Sequence, residues 1–90
     1  MDPKEEKLSR AISASSRRLI LRLICDQELT VKDIATQTQM SVSLTSRHLK
    51  LLYDLGFLDV RAQFPNKFYS LRVKELKGLL SDYEKVIKKL

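Results

Sequence analysis

Apolar residues recur every three or four positions in this chain as far as Leu55 and then, past Gly56, at every second position. A repeat of three to four belongs to helices and a repeat of two to strands, so the chain is confined to a set of helices carrying one late β-hairpin. "FLDVRAQ" sets Leu58, Val60 and Ala62 against Asp59, Arg61 and Gln63, "FPN" supplies a turn, and "KFYSLR" resumes the strand pattern. The expected architecture is mainly α with a two-stranded β-hairpin.

The helical segments carry their own start signals. Pro3, Glu5 and Glu6 suit the first turn of a short helix from Lys4 to about Ser13, with Leu8, Ala11 and Ile12 on one face. Ser15 or Ser16 can cap a second helix, in which Leu19, Ile20, Leu23 and Ile24 form a stripe and Arg17, Arg18 and Arg22 lie off it. "DQELT" breaks the pattern. Thr30, followed three residues later by Asp33, opens a short helix through "VKDIATQTQ" that buries Val31, Ile34 and Ala35. Ser41 caps the next, whose Thr45, Leu49 and Leu52 make a buried edge with Leu51 and Leu55 beside it, and Gly56 ends it. From Val73 onward Leu76, Leu79, Leu80, Tyr83, Val86, Ile87 and Leu90 repeat at threes and fours, a heptad-like seam. A helix of roughly 27 Å, at about 1.5 Å per residue, outruns so small a core, and its seam is expected to pack on another subunit.

With 90 residues there is room for a single domain, 1–90, and a chain this short buries only about 60 to 65% of its unfolded surface. Association with a second copy is the simplest way to cover more. Seventeen Lys and Arg against eleven Asp and Glu leave a net charge of +6, a field that favours a polyanion such as nucleic acid or an anionic membrane surface. No apolar run nears the roughly 20 residues that span a bilayer, and "MDPKEEK" lacks the apolar region and cleavage pattern of a signal peptide. The expected setting is cytoplasmic, with no membrane partner. Cys25 is the only cysteine, so it reads as a small buried hydrophobe in "LILRLIC", with an intersubunit disulfide or a reactive thiol as the alternatives.

A short helix feeding a second across "QTQMS" is a helix-turn-helix. The second helix, 41–55, holds one edge in the core and turns Ser43, Ser46, Arg47 and Lys50 outward, where hydroxyls can meet several bases and Arg can fork onto guanine. Val42 and Leu44 admit two readings, contact with thymine methyls or packing against the preceding helix. Phe64 and Pro65 either shape the hairpin tip, the favoured role, or wedge into a minor groove. His48, the only histidine, reads as a residue at the core's edge rather than a ligand or proton carrier. Paired with Thr45 or Ser41 it would lack an orienting third group and an oxyanion turn, so no enzyme is expected.

Taken together, "LTVKDIATQTQMSVSLTSRHLKLLYDLGFLDVRAQFPNKFYSL" resembles the winged helix-turn-helix core of ArsR-type transcription repressors. In that family an "S-x-S-x-x-S-R-H-L-x-x-L" helix precedes "G-[LF]" and a hairpin ending "Y-S-L". The upstream "AISASSRRLILRLI" is similar to the family's "ALSDPTRLRILRLL". The likeness extends from about Leu8 to Leu71. It implies a homodimeric regulator of a roughly palindromic double-stranded DNA site, its recognition helices in successive major grooves. Positions Val42 to Arg47 would face DNA, and Arg61, Asn66 and Lys67 would belong to a wing, 61–68, on flanking DNA. The terminal helices, about 4–13 and 73–90, would form the dimer interface, adding Leu8 and Ile12 to the seam.

This chain departs from the family's metal sensors. It has no cysteine in "ELTVKDIA", and "ELKGLLSDYEKVIKKL" offers Asp82 and Glu84 but no His, so no metal and no cofactor are expected. Two other functions fit the same residues: a winged helix that binds a protein through Val42 and Leu44, and an architectural DNA-binding protein without sequence preference.

Overall fold

The computed structural model describes residues 2–90. Helices α1 (Pro3–Ile12) and α2 (Ser15–Leu23) precede a two-residue strand β1 (Leu29–Thr30). Then come α3 (Val31–Thr38), α4 (Val42–Asp54), the strands β2 (Leu58–Gln63) and β3 (Asn66–Leu71), and α5 (Leu76–Lys88).

Helix α1 begins on Asp2, whose side chain accepts from Lys4 N at 2.8 Å. The corner into α2 is built differently from the expectation. Ala14 occupies the capping position and makes no side-chain bond, while Ser15 and Ser16 are already helical. What binds the corner comes from the next turn, where Arg17 Nη2 donates to Arg10 O and Arg18 Nη1 to Ile12 O, each at 2.6 Å. Two guanidinium groups thus satisfy carbonyls that the end of α1 leaves without helical partners.

The buried face of α2 also differs. Ile20, Leu21 and Ile24 are the buried residues, and Leu19 is 41% exposed. "LILRLI" holds two overlapping apolar arcs. Packing of α2 against α1, α3, α4 and α5 selects the arc that includes Leu21. Cys25, half-buried beside this core, donates its thiol to Leu21 O at 3.1 Å. Burial, aided by the Asp26 carboxylate, pushes the thiol pKa up.

The starts of α3 and α4 follow the expected caps. Thr30 Oγ1 accepts from Asp33 N at 3.2 Å, and Ser41 Oγ accepts from Leu44 N at 3.0 Å. Between the helices Gln39 takes the left-handed conformation, φ 59°, and Met40 N bonds to Ala35 O at 3.1 Å, which turns the chain within three residues. Gly56, at φ 92°, releases the chain from α4 in a conformation that a side chain would strain.

The sheet has three strands rather than two, in the order β1-β3-β2, all antiparallel. Leu29 and Thr30 pair with Tyr69 and Phe68, while β2 pairs with β3 from Leu58↔Leu71 to Gln63↔Asn66. A two-residue strand cannot display a period of two, which is why "ELT" read only as a break. Along β2 Leu58 is buried, Val60 half-buried and Ala62 exposed, so the hairpin leaves the core as it rises toward Phe64 and Pro65.

Helix α5 starts three residues later than the expected Val73, after a turn in which Leu76 N bonds to Val73 O at 3.1 Å. Leu76 and Leu80 enter the central core with Ala11, Ile20, Leu21, Ile34, Leu49, Leu52, Leu58 and Leu71.

Candidate nucleic-acid interface

Helix α4 is divided lengthwise. Thr45, Leu49 and Leu52 have no exposed surface, and on the opposite side Ser43, Ser46, Arg47 and Lys50 are exposed. The two apolar residues of its first turn separate: Val42 is 51% exposed, whereas Leu44 is half-buried. The hydroxyls separate as well. Ser41 caps the helix and Thr45 Oγ1 donates to Ser41 O at 2.8 Å, so both are structural, leaving Ser43 and Ser46 on the open face.

Among the described residues Arg47 has no intramolecular ion pair. Lys50 Nζ lies 2.9 Å from Asp54 Oδ2, an exposed pair one turn apart that is worth about 0.3 to 0.5 kcal/mol. His48 is half-buried, and its pKa is lowered by burial first and by the charges of Arg17 and Arg47 after that. Arg17, placed by its bonds to α1, therefore adds to the positive field over α4.

The wing stands beside this helix. Asn66 and Lys67 are exposed near the tip, and Phe64 is 98% exposed. A shallow groove of about 260 Å³ runs between the wing and the start of α4, lined by Val42, Asn66, Lys67 and also Lys32 of α3. The groove thus joins Val42 of the helix to Asn66 and Lys67 of the wing tip, while Ser43, Ser46, Arg47 and Lys50 share the exposed side of α4. Lys32 joins this groove only through the packing, because a lysine in the first turn of a short helix carries no signal of its own.

Arg61 is placed otherwise. Its Nη2 lies 2.7 Å from Glu28 Oε1, its Nη1 donates to Gln63 Oε1 at 2.7 Å, and its guanidinium carbon sits 4.6 Å from the centre of the Phe68 ring. Its pairing with Glu28, held mainly by the hydrogen bonds, lowers the carboxyl pKa. The sequence could not show this clasp, since its partners are 33 residues apart.

Helices α1 and α5 carry the residues expected at a subunit interface, and two of them are placed otherwise. Leu76 and Leu80 are 3% and 2% exposed and belong to the subunit's own core, although Leu76 also borders the groove between α1 and α5. Leu79, Val86, Ile87 and Leu90 remain 42%, 60%, 51% and 93% exposed. Tyr83 is half-buried, with the Arg18 guanidinium 4.9 Å from its ring centre, and Leu8 and Ile12 are half-buried against the core. An apolar groove of about 610 Å³ between α1 and the start of α5 touches Leu8, Phe57, Val73 and Leu79. Arg22 Nε lies 3.0 Å from Glu84 Oε1 yet out of line for a hydrogen bond, so that contact between α2 and α5 is Coulombic.

Among the described residues no three His, Cys, Asp or Glu side chains gather as metal ligands, and no helix is long and apolar enough to cross a membrane.

Comparison with known proteins bears on this geometry. The model of the arsR family of bacterial regulatory proteins matches residues 14–60, from the corner before α2 into β2. The transcriptional activator HlyU of Vibrio cholerae serotype O1 is 34% identical over 68 residues, which make up 74% of this chain and 63% of that protein's length. The crystal structure of the transcriptional regulator HlyU from Vibrio vulnificus CMCP6 is 31% identical, superposes with a TM-score of 0.76, and shares 92% of this chain and 86% of its own. The solution structure of a homodimeric winged helix-turn-helix DNA-binding domain from Mycobacterium bovis matches in fold, with a TM-score of 0.82 at 23% identity, over 96% of this chain and 80% of that one.

Proposed function

The chain belongs to the ArsR family of bacterial regulatory proteins, and from that premise we propose that it is a homodimeric, sequence-specific regulator of transcription that reads double-stranded DNA. The observation that carries the reading is the lengthwise division of α4. One edge is fully buried through Thr45, Leu49 and Leu52, while Ser43, Ser46 and Arg47, which has no ion pair among the described residues, face outward. A helix so divided can enter a major groove without disturbing its own packing.

In this proposal Arg47 forks onto a guanine, Ser43 and Ser46 bond to base edges, and Val42 meets a thymine methyl. Asn66 and Lys67 of the wing, together with Lys32, hold the neighbouring backbone. Leu44 supports the helix start from the inside, and Lys50, already paired with Asp54, contributes charge more than readout. Residues 1–90 act as one domain whose α1 and α5 associate with a second copy through Leu8, Ile12, Leu79, Tyr83, Val86, Ile87 and Leu90.

A two-fold dimer presents its two recognition helices about 34 Å apart or a multiple of that, which calls for a roughly palindromic site. Its action is proposed to be repression by occupying that site. The Vibrio cholerae relative is a transcriptional activator, and activation from the same site is the alternative outcome. The proposal is of a binding protein inside the cell and requires neither catalysis nor a metal or cofactor.

Selection of bound duplexes from a random library at near-physiological salt, with the protein's mass measured in the same buffer, tests the reading. A palindrome recovered by a dimer supports it. Salt-sensitive binding without a consensus points to an architectural role, and no binding at all points to a protein partner for Val42 and its neighbours.

A further inference from the structure

Arg61 has its hydrogen-bonding edge filled by the protein itself. Nε lies 3.1 and 3.2 Å from the two Glu28 carboxylate oxygens and Nη2 lies 2.7 Å from Oε1, so the edge that would fork onto a phosphate already forks onto a carboxylate. Nη1 is taken by Gln63 at 2.7 Å and one face of the guanidinium by Phe68, its register partner across the hairpin. Lys67, a few residues away on the same hairpin, is exposed and carries no such partner among the described residues.

We propose that Glu28 is a positioning residue that limits overall DNA affinity and its salt dependence by withholding Arg61 from the DNA backbone. The inference rests on the DNA-binding reading above. A phosphate contact adds affinity for every sequence alike, so withholding one weakens binding to all duplexes and makes it less sensitive to salt, while the ratio between them stays the same. By acting as a built-in phosphate mimic, Glu28 removes such a contact without removing the guanidinium, which continues to brace β2 against the loop that follows α2. Both side chains keep about half of their surface, 50% for Arg61 and 41% for Glu28, so the clasp can exchange with an outside anion once its charge is removed.

The test is the dependence of duplex affinity on salt for the wild type, Glu28→Gln, Arg61→Ala and the double variant, on a selected duplex and on a scrambled one. Releasing Arg61 in Glu28→Gln is expected to steepen the slope of log K against log salt by about 0.9 and to tighten binding of both duplexes by a similar factor, leaving the ratio between them unchanged. Arg61→Ala alone should leave the slope where it is, and the double variant should match Arg61→Ala. A merely structural clasp would change the melting temperature of Glu28→Gln and leave its slope alone, which overturns the proposal. So does a gain that persists in the double variant, since that is the general effect of one fewer negative charge. A shallower slope in Arg61→Ala also overturns it, because Arg61 would then already touch phosphate. If none of the four proteins binds duplex, the DNA reading falls and this inference with it.

Discussion

The Thr45 hydroxyl donates to the Ser41 carbonyl oxygen at 2.8 Å, tying the inner edge of α4 to the residue that starts it. Thr45 is the one buried polar side chain among the described residues, and the Ser41 hydroxyl in turn accepts from Leu44 N. The start of α4 is therefore held by two hydroxyls that bond within the chain.

Substitution separates these hydroxyls from the outward ones. Ser41→Ala removes a helix cap and should cost about 1 kcal/mol in urea denaturation. Thr45→Val keeps the volume and leaves Ser41 O with its backbone bond from Thr45 N at 3.0 Å, so a loss of about 1 kcal/mol or less is expected, with duplex selectivity unchanged. Lost selectivity at unchanged stability would place the Thr45 hydroxyl on the ligand instead.

Association through α1 and α5 predicts opposite outcomes for neighbouring leucines. Leu79→Glu with Ile87→Glu puts charges on positions 42% and 51% exposed in the subunit and is expected to halve the mass by light scattering while helical circular dichroism persists. Leu80→Glu buries a charge at a position 2% exposed, and loss of the cooperative unfolding transition is expected. An unchanged mass in the first variant moves the interface elsewhere.

These leucines also mark how far the sequence could be read. Where an element carried both a start signal and a periodic face, as α3 does with Thr30 and α4 with Ser41, its place and buried edge were legible, and Gly56 marked the change to the hairpin. Spacing tells which residues share a face but not which body covers it. Leu76 and Leu80 therefore went unseparated from Leu79 and Ile87, and Leu19 was preferred to Leu21. Features that depend on distant partners left no local trace. The corner braced by Arg17 and Arg18, the strand β1 that exists only beside β3, and the Glu28 clasp on Arg61 are all of this kind. Within the recognition helix the spacing identified the outward set, while the distinction between Val42 and Leu44 required the packing.

Histidine 48 gives a pH dependence with a definite sign. Burial, together with Arg17 and Arg47, lowers its pKa in the folded chain. The unfolded chain then binds this proton first, at the ordinary histidine value of about 6.5. Its effect is stability that is full above that value, falls as pH drops from there toward the folded pKa, and is constant below it. Urea midpoints measured across this window should decline on acidification, and His48→Gln should flatten that part of the decline. A midpoint that rises on acidification would mean that His48 gains a favourable partner on folding.

Arg47 and Lys67 are both exposed and free of internal ion pairs among the described residues, yet the proposal gives them different tasks. Arg47 lies on the exposed side of α4 proposed to face the groove, so Arg47→Ala should weaken binding to the selected duplex by about 1 to 3 kcal/mol and relax the preference at one base pair. Lys67 lies exposed at the wing tip and is proposed to meet backbone, so Lys67→Ala should weaken selected and scrambled duplexes alike and reduce the salt slope by about 0.9. Fluorescence anisotropy with both duplexes at several salt concentrations distinguishes the two. Equal losses from Arg47→Ala on both duplexes would demote it to a backbone contact. A sequence-dependent loss from Lys67→Ala would mean that the wing reads bases, and the division of labour between helix and hairpin proposed here would have to be reversed.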